Sequence, residues 1–126
     1  MLLSALVSAI YQEWSAALWI VASSVVTAVI GLVLWRLCDR PGELSTREGF
    51  AAVALAWIAI GLVGALPYLF TGSITNVTDA VFETVGGFST TGSSVIPDPG
   101  ALPHGIQFWR SVSQWLGGMG IIVLSI

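Results

Sequence analysis

The run Ser89-Thr90-Thr91-Gly92-Ser93-Ser94-Val95 is the part of this sequence best equipped for chemistry. It sets five hydroxyl side chains and a glycine in seven positions. No Gly-x-Ser-x-Gly, paired carboxylates or His-x-x-x-His motif accompanies it, so nucleophilic, acid–base and metal-centred catalysis have no support. Hydroxyl and backbone carbonyl oxygens can instead replace the water around a monovalent cation. Extended backbone here would direct its carbonyl oxygens into a cavity, and Gly92 can take backbone angles closed to other residues. Thr90, Thr91, Gly92 and Ser93 are therefore the candidate ion-binding set. Thr90-Thr91-Gly92 alone reads better as a polar surface loop, and it is the order of span, short helix, hydroxyl run and span that favours the filter.

Immediately before the run lies Asn76-Val77-Thr78-Asp79-Ala80-Val81-Phe82-Glu83-Thr84-Val85-Gly86-Gly87. Asn76 or Thr78 can cap a helix, and Asp79 falls in its first turn, where the helix dipole favours an anion. Gly86-Gly87 reads as its stop. A helix from Thr78 to Gly87 is about 15 Å long at 1.5 Å per residue, half of a bilayer, and so is a candidate re-entrant element. Its C-terminal, negative end would favour a cation at the membrane centre. Glu83 is either a cation-attracting group or a buried acid bonded to neighbouring N–H groups. Arg110, two turns into the next apolar stretch, either pairs with Glu83 or Asp79 or reaches the outer interface. Asp79, Glu83 and Arg110 are thus the candidate supports of the short helix. Asn76-Val77-Thr78 also matches a glycosylation sequon, which helix capping explains better.

Composition supplies the setting. The chain has 126 residues, 56% of them hydrophobic and 9% charged, with mean hydropathy +0.90. A soluble domain carries about 25% charged residues. Disorder is excluded by the hydrophobicity, and nucleic-acid binding by net charge −3 with no lysine. One cysteine, Cys38, allows no internal disulfide and no cysteine-based zinc site. An all-α integral membrane protein remains. Ala16–Leu37, Gly49–Phe70 and His104–Ile126 approach the roughly 20 apolar residues of a spanning helix. Arg36, Arg40 and Arg47 cluster between the first two, which predicts a cytoplasmic loop over residues 39–48. The second span then runs outward and the third returns. Trp35, Tyr68 and Trp109 fit interfacial belts, His104 an interfacial loop, and Pro97 to Pro103 an outer turn. Gly117-Gly118-Met119-Gly120 follows no strand and reads as close helix packing or a hinge, as does Gly61 to Ala65 as a packing face. Leu2 to Ile10 is too short to span and reads as the tail of a helix; both ends look cut.

Several motifs now coincide. Arg47-Glu48-Gly49-Phe50, Gly64-Ala65-Leu66-Pro67, Thr78-Asp79-Ala80 with Phe82-Glu83, Thr90-Thr91-Gly92, and Gln114 to Leu124 together resemble the Trk/Ktr/HKT superfamily, most closely its bacterial Trk-type potassium-uptake branch. The similarity is strong from about residue 40 onward and weak before. That resemblance implies four pseudo-repeats of helix, pore loop and helix around one pore, preceded by an extra helix pair. Residues 1–38 would be those leading helices, the first truncated, and 49–126 the first repeat with its inner helix cut short. Thr90–Ser94 would be the filter strand, and Gly92 the filter glycine of the potassium-favouring type. The chain would be an N-terminal fragment of a multi-pass protein of the bacterial inner membrane. It would need no cofactor beyond the transported K+. Its partners would be the remaining repeats, a second full-length subunit, a cytoplasmic nucleotide-binding regulatory subunit and lipid. The rival readings are a small membrane scaffold that binds helices through its glycine faces and a short channel that homotetramerises.

Overall fold

The computed structural model describes residues 1–37 and 45–124, with side chains to residue 120. Cys38 and Arg40 lie outside the described residues, as does most of the loop read as cytoplasmic. The described residues form helices and no strand: α1 (Leu2–Ile10), α2 (Trp14–Leu37), α3 (Thr46–Gly64), α4 (Leu66–Phe70), α5 (Val77–Phe88) and α6 (His104–Leu124), with a 3-10 turn at Pro99–Ala101.

Helix α3 starts three residues before the expected Gly49. The cause is a capping box: the Ser45 hydroxyl accepts from the Glu48 amide while the Glu48 carboxylate accepts from the Ser45 amide. The expected single span to Phe70 is broken at Ala65. Pro67 has no N–H to donate, and its ring crowds the carbonyl one turn earlier. The break frees the Gly64 carbonyl, which accepts a hydrogen bond of 3.1 Å from the Trp109 indole of α6. Trp109 also packs edge-on against Phe88, with ring centroids 6.2 Å apart. Trp109→Phe keeps that packing and orphans the carbonyl. It is expected to lower stability by about 1–3 kcal/mol, the cost of an unsatisfied buried acceptor. Thermal melts of the detergent-solubilised protein read this directly, and an unchanged Tm would count against the bond.

Tyr68 and Trp109 are not interfacial anchors. Both are buried, in a core with Ile20, Ala65, Ala80 and Ile106. Trp35 is exposed, as an interfacial residue would be. At the other end of the core, α1 folds back on α2 through an elbow where Gln12 takes a left-handed φ of 60°. α1 then lies against α6, where a Cβ at Gly105 would fall 2.6 Å from the Ser4 carbonyl oxygen. Only glycine permits that approach.

Among the described residues, α2 and the α3–α4 pair (Thr46–Phe70, 25 residues) are long and apolar enough to cross a membrane, and only 17% of the apolar window of each is buried. A core helix of a soluble protein would be mostly covered. Here Leu18, Val25, Leu55, Ile58 and Leu62 stand more than half exposed, as side chains facing hydrocarbon do. α6 carries Gln107, Arg110, Ser111, Ser113 and Gln114 along its first half and is less apolar. The chain is an all-α membrane protein.

Candidate functional site

Helix α5 is built as the sequence indicates at its start and differs at its end. Asn76 is the cap, its side-chain oxygen accepting from the Thr78 amide at 3.0 Å, which is the role preferred above over the sequon. The helix does not stop at Gly86-Gly87 but runs through them to Phe88, giving 12 residues and a length of about 18 Å. Those glycines serve contact instead of termination. A Cβ on Gly86 would fall 2.8 Å from the Ser93 carbonyl oxygen, and one on Gly87 would fall 2.8 Å from the Ser113 hydroxyl of α6. On the α3 side, Gly64 leaves room for Thr84, and Gly61 for Val85. On the α6 side, Gly117 lies directly against the Phe88 backbone. The packing reading of Gly61 to Ala65 and of Gly117 holds. α5 is thus clasped by bare backbone on two neighbours, which fixes its position to within a fraction of a side chain.

The hydroxyl run leaves the end of α5 as a turn rather than a strand. The Ser89 amide donates to the Val85 carbonyl at 2.8 Å and the Thr90 amide to the Gly87 carbonyl at 3.0 Å, closing the helix. Thr90 takes φ 57° and Gly92 φ 75°, both left-handed. The extended backbone expected over Thr90–Ser94 is therefore interrupted at two residues. For glycine that region is free; for a β-branched threonine it is rare and strained, and such strain concentrates at functional sites. The Ser89 and Thr91 hydroxyls bond each other at 2.7 Å. Thr90, Thr91, Gly92 and Ser93 are all exposed, with the Ser93 carbonyl oxygen turned back against Gly86 of α5.

Glu83 holds the far end of the turn. It is 3% exposed, and its carboxylate accepts from Arg110 Nε at 2.7 Å, from the Ser94 hydroxyl at 3.1 and 2.9 Å, and from the Val95 amide at 3.0 Å. Of the two roles open for Glu83, this is the buried, fully bonded acid. Of the three open for Arg110, it is the pair with Glu83. One carboxylate therefore joins α5, α6 and the end of the hydroxyl run. Asp79 is not part of this cluster. It lines a small hollow with Ser73, Thr75 and Asn76, one turn nearer the start of α5.

Two sets of residues were missed. Ser94 and Val95, the anchors of the turn, follow the chosen four and carry no signal beyond the hydroxyl. His104 begins α6, as the third apolar stretch predicts, but its pairing was not foreseen. Its amide and Nδ1 each lie 2.9 Å from the Glu13 carboxylate, and its ring stacks on Tyr11 at 4.0 Å. Ninety-one residues separate Glu13 from His104 in sequence, so no spacing rule relates them.

Comparison with known proteins bears on this arrangement. A family model described as TrkH, cation transport protein, matches residues 17–126. The Trk system potassium uptake protein TrkH of Salmonella typhimurium is 41% identical over 127 aligned residues, which cover 100% of this chain and 26% of that protein. Its namesake in Halomonas elongata is 49% identical over 85 residues, covering 67% of this chain and 18% of that protein. An uncharacterized cation transporter of Methanocaldococcus jannaschii is 40% identical over 98 residues, covering 78% and 20%. No solved structure matches. The chain thus spans about a quarter of the length of the first of these relatives. The match extends from within α2 to α6 and takes in the clasped short helix and its hydroxyl turn, and the chain accordingly belongs to the TrkH family of cation transport proteins.

Proposed function

We propose that this chain supplies one filter segment of a potassium-uptake pore in a bacterial inner membrane. The observation that carries the reading is the turn at Thr90–Ser93. It issues from a short clasped helix, takes left-handed backbone at Thr90 and Gly92, and is tied down at its far end by buried Glu83. Oxygen ligands held in this way strip a monovalent cation of water without collapsing onto it. The negative end of α5 adds a field that favours the cation. Arg36 and Arg47 set the orientation, with the α2–α3 connection cytoplasmic, α3–α4 running outward and α6 returning as the third span. Asp79, Glu83 and Arg110 support the short helix and take no part in coordination.

One turn surrounds nothing, so the remaining oxygens come from three further repeats of the same kind. A second subunit and a cytoplasmic nucleotide-binding regulatory subunit complete the assembly. Permeation involves no covalent step and needs no cofactor other than the carried ion.

The test is complementation. A transporter of full family length carrying residues 1–126 in place of its own matching segment is expected to restore growth of a potassium-uptake-deficient strain on limiting potassium. Gly92→Ser in that protein is expected to weaken the preference for potassium over sodium, because a Cβ disfavours φ 75° where a carbonyl must face the ion. Undiminished preference in a folded Gly92→Ser protein removes position 92 from the filter.

A further inference from the structure

Past Gly92 the chain returns along one face of α5. Glu83 and Gly86 lie three residues apart and so share that face. Glu83 holds the Ser94 hydroxyl at 2.9 Å and the Val95 amide at 3.0 Å. One turn nearer the filter, buried Gly86 meets the Ser93 carbonyl. One turn the other way, Asp79 shares its hollow with Val95, Ile96 and Pro97. Residues 93–97 thus run antiparallel to α5 in register with it. A Cβ on Gly86 would fall 2.8 Å from the Ser93 carbonyl oxygen and 3.8 Å from its carbon. Among the described residues no N–H or hydroxyl donates to that oxygen, so contact with α5 decides where it points. A carbon and a carbonyl oxygen in contact stand about 3.3–3.6 Å apart, so a methyl at position 86 must displace the carbonyl by about half an ångström. The limb cannot slide along α5 to escape, because Glu83 fixes Ser94 and Val95 on one side. The displacement passes to Gly92 and the ion-binding residues before it. Binding constellations need their ligands held to about 0.5 Å, so a shift of this size is felt.

We propose that Gly86 is a positioning residue for the filter: its bare backbone seats the Ser93 carbonyl against α5, and this sets the height at which Thr90, Thr91 and Gly92 present their oxygens. The proposal rests on the filter reading above and moves part of the selectivity from the loop to the helix behind it. Gly86 contacts no ion and acts only through the Ser93 backbone.

The experiment uses the same full-length transporter and reads potassium-over-sodium preference, a ratio that does not depend on how much folded protein reaches the membrane. Gly86→Ala is expected to lose preference; alanine is the better helix former, so α5 itself is not weakened. Gly61→Ala is the control. Its Cβ would fall 3.0 Å from Val85 Cγ2 and 3.9 Å from Val81 Cγ1. It therefore presses on α5 through side chains turned to α3, not through the returning limb, and is expected to keep preference. Should Gly86→Ala fold poorly, Ser94→Ala added to it cuts one tie to Glu83 and lets the limb yield. That double variant is expected to fold, with lower preference than Ser94→Ala alone. Preference kept in Gly86→Ala, or equal in the double variant and Ser94→Ala, while Gly92→Ser loses it, overturns the proposal and spares the filter reading. Equal loss in Gly61→Ala also overturns it, since any shift of α5 would then suffice. Preference kept in Gly92→Ser sinks the filter reading itself.

Discussion

Glu83→Ala is expected to unfold the turn and destabilise the protein by about 3–5 kcal/mol, because it leaves the Arg110 guanidinium, 19% exposed, without its partner. Ser94 and Val95 lose their acceptor in the same step. The two losses can be separated. Removing both charges, as in Glu83→Ala with Arg110→Leu, takes away the uncompensated ion and is expected to recover most of the stability. It does not give the Ser94 hydroxyl or the Val95 amide a new partner, so potassium preference is expected to stay low. Unfolding curves and competitive uptake of potassium against sodium, measured on both variants, make the comparison. Equal recovery of stability and preference would mean that Glu83 only balances Arg110 and does not hold the turn.

Gly117→Ala is the second large effect. A Cβ there would lie 2.6 Å from the Phe88 carbonyl carbon and 2.8 Å from its Cα. Backbone, unlike a side-chain tip, has no other rotamer to adopt. α5 has no free direction either, since Thr84 and Val85 already fill the hollows at Gly64 and Gly61 of α3. Overpacking costs about 1–3 kcal/mol and occasionally more, and a seat made of backbone belongs at the upper end. The gain of about 1 kcal/mol from replacing a mid-helix glycine offsets part, leaving a net loss of about 2 kcal/mol. Gly31→Ala on α2 calibrates the measurement: nothing lies within 4 Å of its Cβ, so the propensity gain should appear alone. A Gly117→Ala protein that melts with Gly31→Ala, above wild type, would show that α6 does not seat α5 there.

Much of this was legible in the sequence for physical reasons, and the failures share one cause. The long apolar stretches at Trp14–Leu37 and Thr46–Phe70 announce themselves because hydrocarbon demands a continuous run. Asn76 and Asp79 mark the start of α5 because capping is local chemistry. Glycine is where local reasoning fails. Gly86-Gly87 looks like a stop and is a contact, and what decides is the Ser93 carbonyl and the Ser113 hydroxyl on other segments. The break before Pro67 was open to prediction from proline alone, but not the Trp109 indole that takes up the freed carbonyl. Tyr68 and Trp109 look like interfacial rings because amphipathic rings do favour that boundary; their burial comes from α4 packing on α2 and α5 and from α6 packing on α5 and α1. Glu83 shows the same division. That an acid in an apolar stretch needs partners is readable, and which partners it finds is settled only by the turn doubling back along α5.

Gly92 carries one more consequence. Nothing lies within 4 Å of the place its Cβ would occupy, yet its φ is 75°. Within this chain, what disfavours other residues there is therefore handedness and not volume. An L-amino acid is disfavoured for its chirality, and shrinking the side chain does not help. Alanine gains nothing from being small, whereas asparagine, which is larger, visits the left-handed region several-fold more readily. Tolerance at this position should run against size, in the order glycine, asparagine, alanine, with valine last. A site limited by space would rank alanine second.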